Sequence, residues 1–96
     1  MSGNDRVKEQ ILEQADIGEI VSQYVRLQNR GGRMFGLCPF HKEKTPSFSV
    51  NPERGIFHCF GCGKGGNAID FIMGVENLTF SEARSHLATK LGIPLD

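Results

Sequence analysis

Two short stretches decide the fold of this chain: Cys38-Pro39-Phe40-His41, the first knuckle, and Cys59-Phe60-Gly61-Cys62, the second knuckle. Each places two metal-binding side chains three positions apart, and seventeen residues (42–58) separate the knuckles. This spacing is typical of a tetrahedral zinc site of the ribbon type in which a histidine replaces one thiolate. A turn in each knuckle would direct both side chains to one point. The sequence therefore predicts one structural Zn²⁺ with four ligands: Cys38, His41, Cys59 and Cys62.

Other interpretations of this cluster explain less. Four unrelated buried residues would not show the paired spacing. A catalytic zinc usually has three protein ligands and an open position, whereas four ligands close the site. No H-E-x-x-H motif supplies a general base beside it, so we predict no catalytic residue. His58 could replace His41, but it adjoins Cys59, and strand neighbours point to opposite faces. We therefore predict that the His58 imidazole lies on the surface.

Length and composition indicate one small domain that needs a metal. The chain has 96 residues, of which 39% are hydrophobic, so we expect residues 1–96 to form a single domain with a limited core. Structural zinc contributes roughly 10–16 kcal/mol of apparent binding free energy in small peptides, against a net domain stability of about 5–15 kcal/mol. No apolar run approaches the ~18 residues of a membrane span, and the polar N-terminus is unlike a secretory signal. Because thiolate ligands need a reducing compartment, we expect a cytoplasmic protein with no membrane partner.

The charge is distributed unevenly along the chain. Eleven basic and eleven acidic residues give a net charge of zero. Residues 26–64 carry seven basic and two acidic residues, a local charge of +5, whereas residues 1–25 carry −3 and residues 65–96 carry −2. The basic charge thus surrounds the predicted metal site, which favours an anionic partner there.

Hydrophobic periodicity and turn residues predict an α+β chain with helices at both ends. We expect residues 61–66, which are rich in glycine, to keep the chain flexible around the metal. The predicted elements are two helices beginning after Asn4 or Asp5 and after Asp16, strands at 25–28, 33–37, 47–50 and 56–59, and two helices with N-caps at Asn67 and Thr79.

Five motifs together resemble the zinc-binding domain of bacterial DNA primases. They are C-P-F-H at 38–41, K-T-P-S-F at 44–48, F-H-C-F-G-C-G at 57–63, Gly65-Gly66 and I-D-F at 69–71. The resemblance runs from the first helix to Pro94. It implies a zinc ribbon of the α+β class, in which an antiparallel sheet of about five strands carries the metal and helices flank it.

The resemblance also implies a larger parent enzyme. Bacterial primases synthesise short RNA primers on single-stranded DNA, with a polymerase domain after the zinc domain and a helicase-binding domain last. We expect this chain to be an N-terminal fragment without those domains. It also lacks the acidic cluster that would hold catalytic magnesium, so we expect it not to be an enzyme alone. The implied partners are the single-stranded DNA template, the polymerase domain in cis or in trans, and the replicative helicase through the parent.

Two functions are compatible with this resemblance. The first is recognition of the DNA template, in which cations follow the phosphates and rings stack on bases. The second is docking onto the polymerase domain or the helicase. Each part of the first function has a simpler explanation. The cations could lie on a solvated face that binds nothing, and each phenylalanine could belong to the hydrophobic core. We predict DNA contacts from eight residues: Arg33, Lys42, Lys44, Arg54 and Lys64 for phosphates, and Phe48, Phe57 and His58 for bases.

Overall fold

The computed structural model describes residues 6–42 and 44–95, so the predicted N-caps Asn4 and Asp5 lie outside it. The described part confirms the α+β class, with five strands and four helices. In chain order they are α1 (Arg6–Gln14), α2 (Ile17–Ser22), β1 (Gln28–Arg30), β2 (Arg33–Gly36), β3 (Phe48–Asn51), β4 (Ile56–Cys59), β5 (Gly65–Asn67), α3 (Ala68–Val75) and α4 (Phe80–Leu91). None of the described helices combines the length and the apolar character that a membrane crossing needs.

The five strands form one antiparallel sheet in which each strand pairs with its neighbour in the chain. Side chains alternate between the two faces of each strand. One face packs against the helices and carries Phe48 and Val50 of β3, which are both fully buried. The opposite face, called the outer face below, carries the side chains of Arg33, Phe35, Ser49, Asn51, Ile56 and His58.

A cluster of four phenylalanines joins the sheet to α3 and to the first knuckle. Phe40, Phe48, Phe57 and Phe71 contact one another with ring centroids 5.5–6.1 Å apart. The prediction that Phe48 and Phe57 stack on bases is therefore wrong. Their side chains are 0% and 4% exposed, because both positions point toward the helices and fill the core.

The helix ends follow the capping signals of the sequence. The Asn67 side chain accepts from the backbone N–H of Asp70, and the Asp70 carboxylate accepts from the N–H of Asn67, both at 3.0 Å. Thr79 and Glu82 make the same reciprocal pair at the start of α4. Gly92 ends α4 with φ of 72°, a conformation that glycine adopts without steric cost. These contacts confirm the predicted N-caps of α3 and α4.

The first strand is shifted from its predicted position, and the last strand was not among the four predicted from the residue pattern. β1 begins at Gln28 rather than near residue 25. It extends to Arg30, because Gly31 and Gly32 both have positive φ (62° and 89°) and complete the turn by themselves. Asn29 and Arg30, which fall between the predicted strands 25–28 and 33–37, therefore remain paired with β2. β5 falls within the segment expected to be flexible. Its glycines pair with β4, a contact that no hydrophobic pattern could indicate.

Gly36 is a position where the fold leaves no room for a side chain. A Cβ there would lie 2.6 Å from the carbonyl oxygen of Arg26 and 2.9 Å from a methyl group of Val25. We expect Gly36→Ala to lower the free energy of unfolding by about 1–3 kcal/mol, since the backbone must move to accept the methyl group. Thermal or urea unfolding of the zinc-loaded protein measures this change. The control, Gln28→Ala at an exposed position of the adjacent strand, should stay within about 0.5 kcal/mol of the wild type. Equal stabilities for the two variants would contradict the close approach.

Candidate metal centre

The ends of two strands bring the two knuckles together. Cys38 follows β2, and Cys59 is the last residue of β4. His41 lies in the connection from β2 to β3, and Cys62 in the turn between β4 and β5. One ligand atom from each of these four residues lies within 4.8 Å of every other. Cys38 and Cys59 are buried, His41 is half-buried and Cys62 is exposed, so the site lies at one edge of the core.

The distances fit a tetrahedral zinc ion. With Zn–S bonds of about 2.3 Å, two sulfurs of a tetrahedron lie about 3.8 Å apart. The Sγ atoms of Cys38 and Cys62 are 3.9 Å apart, and the Sγ of Cys59 lies 4.0 Å from Nδ1 of His41. The four side chains are therefore positioned to bind one Zn²⁺. Three sulfurs and one nitrogen complete its coordination, as in a structural site.

Backbone hydrogen bonds shape both knuckles around their cysteines. In the first knuckle, the N–H of Phe40 donates to the Sγ of Cys38 over 3.4 Å. In the second, the N–H of Gly63 donates to the carbonyl of Cys59, and the N–H of Cys59 donates to the carbonyl of Lys64, both at 2.8 Å. Gly63 has φ of 82°, which reverses the chain without strain. Gly63 thus serves as a turn residue of the second knuckle.

The two buried thiols differ in acidity. Burial raises the pKa of the Cys38 thiol to about 12, and its sulfur neighbours add to this effect against the opposing hydrogen bond from Phe40. Burial also opposes ionisation of Cys59. Hydrogen bonds from the backbone of Cys62 and Gly61 and from the side chain of Ser47 outweigh this burial, so the pKa of Cys59 is lowered. A nearby divalent cation favours the thiolate form of every cysteine that it binds.

The predicted DNA-binding cations fall into two groups. Arg33 and Arg54 line a shallow depression of the outer face together with His58, whose side chain is exposed as predicted. Lys42 and Lys44 line a separate depression beside His41. The Lys64 ammonium lies 5.1 Å from the ring centroid of Phe40, close to the first knuckle. The structure thus places Arg33 on the sheet, Arg54 in the turn between β3 and β4, and three lysines around the metal site.

Sequence reasoning missed an exposed ring in the second knuckle. Phe60 is 65% exposed, and its ring lies 4.7 Å from that of His58 in an edge-to-face arrangement. It lines the same depression as Arg33 and Arg54. The C-F-G-C motif by itself indicates only metal binding. Successive side chains of a strand point to opposite faces, so a buried Cys59 at the end of β4 could have indicated that the ring of Phe60 points outward.

Removal of one ligand tests the closed zinc site. We expect Cys59→Ser to lose most of its bound zinc and the ordered sheet, because a hydroxyl replaces a thiolate at a buried ligand position. Metal analysis gives the zinc content per chain, and circular dichroism reports the sheet. The control, His58→Ala, changes the neighbouring exposed residue and should retain one zinc per chain. A Cys59→Ser protein that lost zinc but kept its fold would contradict a stabilising role for the metal.

Comparisons with known proteins agree with this geometry. The family model described as a CHC2 zinc finger matches residues 4–96. A DNA primase of Geobacillus stearothermophilus is 52% identical over 94 residues, covering 94% of this chain and 16% of that protein. A DNA primase of Streptomyces coelicolor is 50% identical over 93 residues, covering 96% of this chain and 14% of that protein. The crystal structure of the zinc-binding and RNA polymerase domains of the Aquifex aeolicus primase matches with a TM-score of 0.90 and 40% identity, covering 100% of this chain and 23% of that one.

These matches show the family of the chain and the share of each primase that it matches. The chain spans about one sixth of the length of the curated relatives named above. The family model covers nearly all of the chain, and the fold matches that of a primase structure. The chain therefore belongs to the CHC2 zinc-finger family, as a zinc-binding domain of the DNA primase kind.

Proposed function

We propose that the chain recognises single-stranded DNA as the template-reading domain of a primase and so supports RNA primer synthesis. The observation that carries this proposal is the depression of the outer face, where Arg33, Arg54, His58 and Phe60 lie together. Single-strand binding surfaces combine cations that follow the backbone with rings that stack on bases. The outer face offers both within one shallow, exposed site.

The zinc ion would give this surface its rigidity. His58 and Phe60 immediately precede and follow the ligand Cys59 in the sequence. Their rings therefore take their positions from the strand and the turn that the metal holds. The described helices pack on the opposite side of the sheet, so the outer face is open to a partner. Pre-ordered side chains lower the entropic cost of binding a flexible strand.

The three lysines around the metal extend the basic surface beyond the sheet. Lys42, Lys44 and Lys64 are all exposed, and each lies within or near the first knuckle. We propose that they neutralise phosphates where the strand leaves the outer face. The revised DNA-binding set is Arg33, Lys42, Lys44, Arg54, His58, Phe60 and Lys64.

The relatives suggest the wider setting. We propose that residues 1–96 are one domain of a longer cytoplasmic primase, and that a polymerase domain, in cis or in trans, performs nucleotidyl transfer. The crystal structure of the Aquifex aeolicus primase contains an RNA polymerase domain as well as a zinc-binding domain. Contact with the replicative helicase would be made through the parent protein. The chain alone is proposed to bind the template without catalysing a reaction.

Docking onto a protein is the second candidate function, and one exposed apolar patch favours it. Leu37 is 49% exposed, and together with Cys38 and Pro39 it lines two surface depressions. Lys42 and Lys44 border this patch. An apolar centre with a charged rim is typical of a protein interface. The patch lies beside the metal, so both functions depend on a folded zinc site.

Salt dependence tests whether the arginines of the outer face contact phosphates. We expect Arg33→Ala and Arg54→Ala each to weaken single-stranded DNA binding and to reduce the slope of log K against log salt by about 0.7, the value for one phosphate contact. Fluorescence anisotropy with a labelled oligonucleotide at several salt concentrations measures both quantities. The control is Lys90→Ala, which removes a cation of α4 whose ammonium donates to Gln23. Its slope should equal that of the wild type.

Replacement of Phe60 tests base stacking. We expect Phe60→Ala to lose about 1–3 kcal/mol of DNA-binding free energy with an unchanged salt slope, because stacking involves no phosphate. The control is Phe80→Ala, which removes a ring on α4 that is 39% exposed. If none of these variants changed the affinity for DNA, the proposal that the outer face binds DNA would be wrong. Absence of DNA binding at low salt, together with binding of a polymerase domain that Leu37→Asp abolishes, would favour docking.

A further inference from the structure

One residue of the K-T-P-S-F motif contacts the metal site without being a ligand. Ser47 lies directly before β3 and is half-buried. Its Oγ is 3.7 Å from the Sγ of Cys59, and its carbonyl oxygen accepts a hydrogen bond from the N–H of Phe60 over 2.9 Å. Ser47 thus contacts the second knuckle through both its side chain and its backbone.

The chemistry of a bound cysteine fixes the direction of the side-chain contact. A cysteine that binds zinc is a thiolate and carries no proton. Its sulfur can only accept a hydrogen bond, so the Ser47 hydroxyl must be the donor. We infer that Ser47 is a positioning residue of the zinc site, whose hydroxyl holds the Cys59 thiolate in place and slows the loss of the metal.

The burial of Cys59 explains why this thiolate needs a donor from the protein. Cys59 is 0% exposed, whereas Cys62 is exposed to solvent. A buried charge that cannot reach water requires hydrogen bonds from its surroundings. The hydroxyl of Ser47 is a side-chain donor to this sulfur, so substitution can remove it while the backbone donors remain. Outer-shell partners of this kind commonly determine how tightly a site holds its metal.

The contacts of Ser47 also connect the metal to the outer face. Its hydroxyl reaches the ligand Cys59, and its carbonyl fixes the backbone of the exposed Phe60. Ser47 therefore contacts both a metal ligand and an exposed residue of the depression on the outer face. This inference depends on the zinc site alone and is independent of whether the outer face binds DNA.

Zinc transfer to a chromogenic chelator tests the inference directly. We expect the zinc-loaded Ser47→Ala protein to release its metal about tenfold faster than the wild type. Ser47→Thr retains a hydroxyl and should release zinc at nearly the wild-type rate. The matched control is Ser49→Ala, which removes a buried hydroxyl two residues away that donates to the carbonyl of His58 instead of to sulfur. Equal release rates for Ser47→Ala and the wild type, or for Ser47→Ala and Ser49→Ala, would overturn the inference.

The spectrum of the Co²⁺-substituted protein distinguishes a bond to sulfur from a general effect on packing. Loss of a hydrogen bond makes a thiolate a better electron donor. The sulfur-to-cobalt charge-transfer band of Ser47→Ala should therefore shift to longer wavelength, while those of Ser47→Thr and Ser49→Ala should not. If Ser47→Ala fails to fold, Ser47→Gly also removes the hydroxyl and takes its place in both measurements. An unshifted band with wild-type zinc release in the folded variant would show that Ser47 does not act on the metal site.

Discussion

The convergence of three sulfurs and one nitrogen on a single point is the constraint on which the rest of this structure depends. Cys38 follows β2 and Cys59 ends β4, the two strands on either side of β3. Both cysteines are buried, and the pKa of Cys38 is raised by that burial. A divalent cation provides the charge that lets these sulfurs lie together as thiolates. The same ion joins the two knuckles, so the segments that follow β2 and β4 are held together by the chemistry of the site.

The phenylalanine cluster connects the metal site to the hydrophobic core. Phe40 belongs to the first knuckle, and its ring contacts Phe48 and Phe57 of the sheet and Phe71 of α3. Because Phe40 lies between the ligands Cys38 and His41, metal binding also fixes the position of its ring in the core. In a chain of 96 residues, this arrangement compensates for a core that is small in relation to the surface.

Side chains alternate along the strands, so those that form the core and those of the proposed binding surface lie on opposite faces of the sheet. Each core-facing ring on β3 or β4 has an outward neighbour, and the outward side chains share a face with Arg33. Phe57 is buried while the adjacent His58 is exposed, and Cys59 is buried while the adjacent Phe60 is exposed. The side chains of the proposed binding surface therefore take no position from the core, because the two sets point to opposite faces of the sheet. Its stiffness comes from the metal that holds the end of β4.

The sequence by itself determined the features that local chemistry controls. Ligand spacing identified the zinc site, and capping residues such as Asn67 and Thr79 located the helix starts, because these signals act over three or four residues. Only the tertiary structure decided which rings face the core, that Phe60 is exposed, and that a glycine segment pairs as β5. It also brought Ser47 to Cys59 across twelve positions of the chain. These outcomes depend on which face of each strand meets the helices and on contacts between distant segments, and local sequence patterns do not record either.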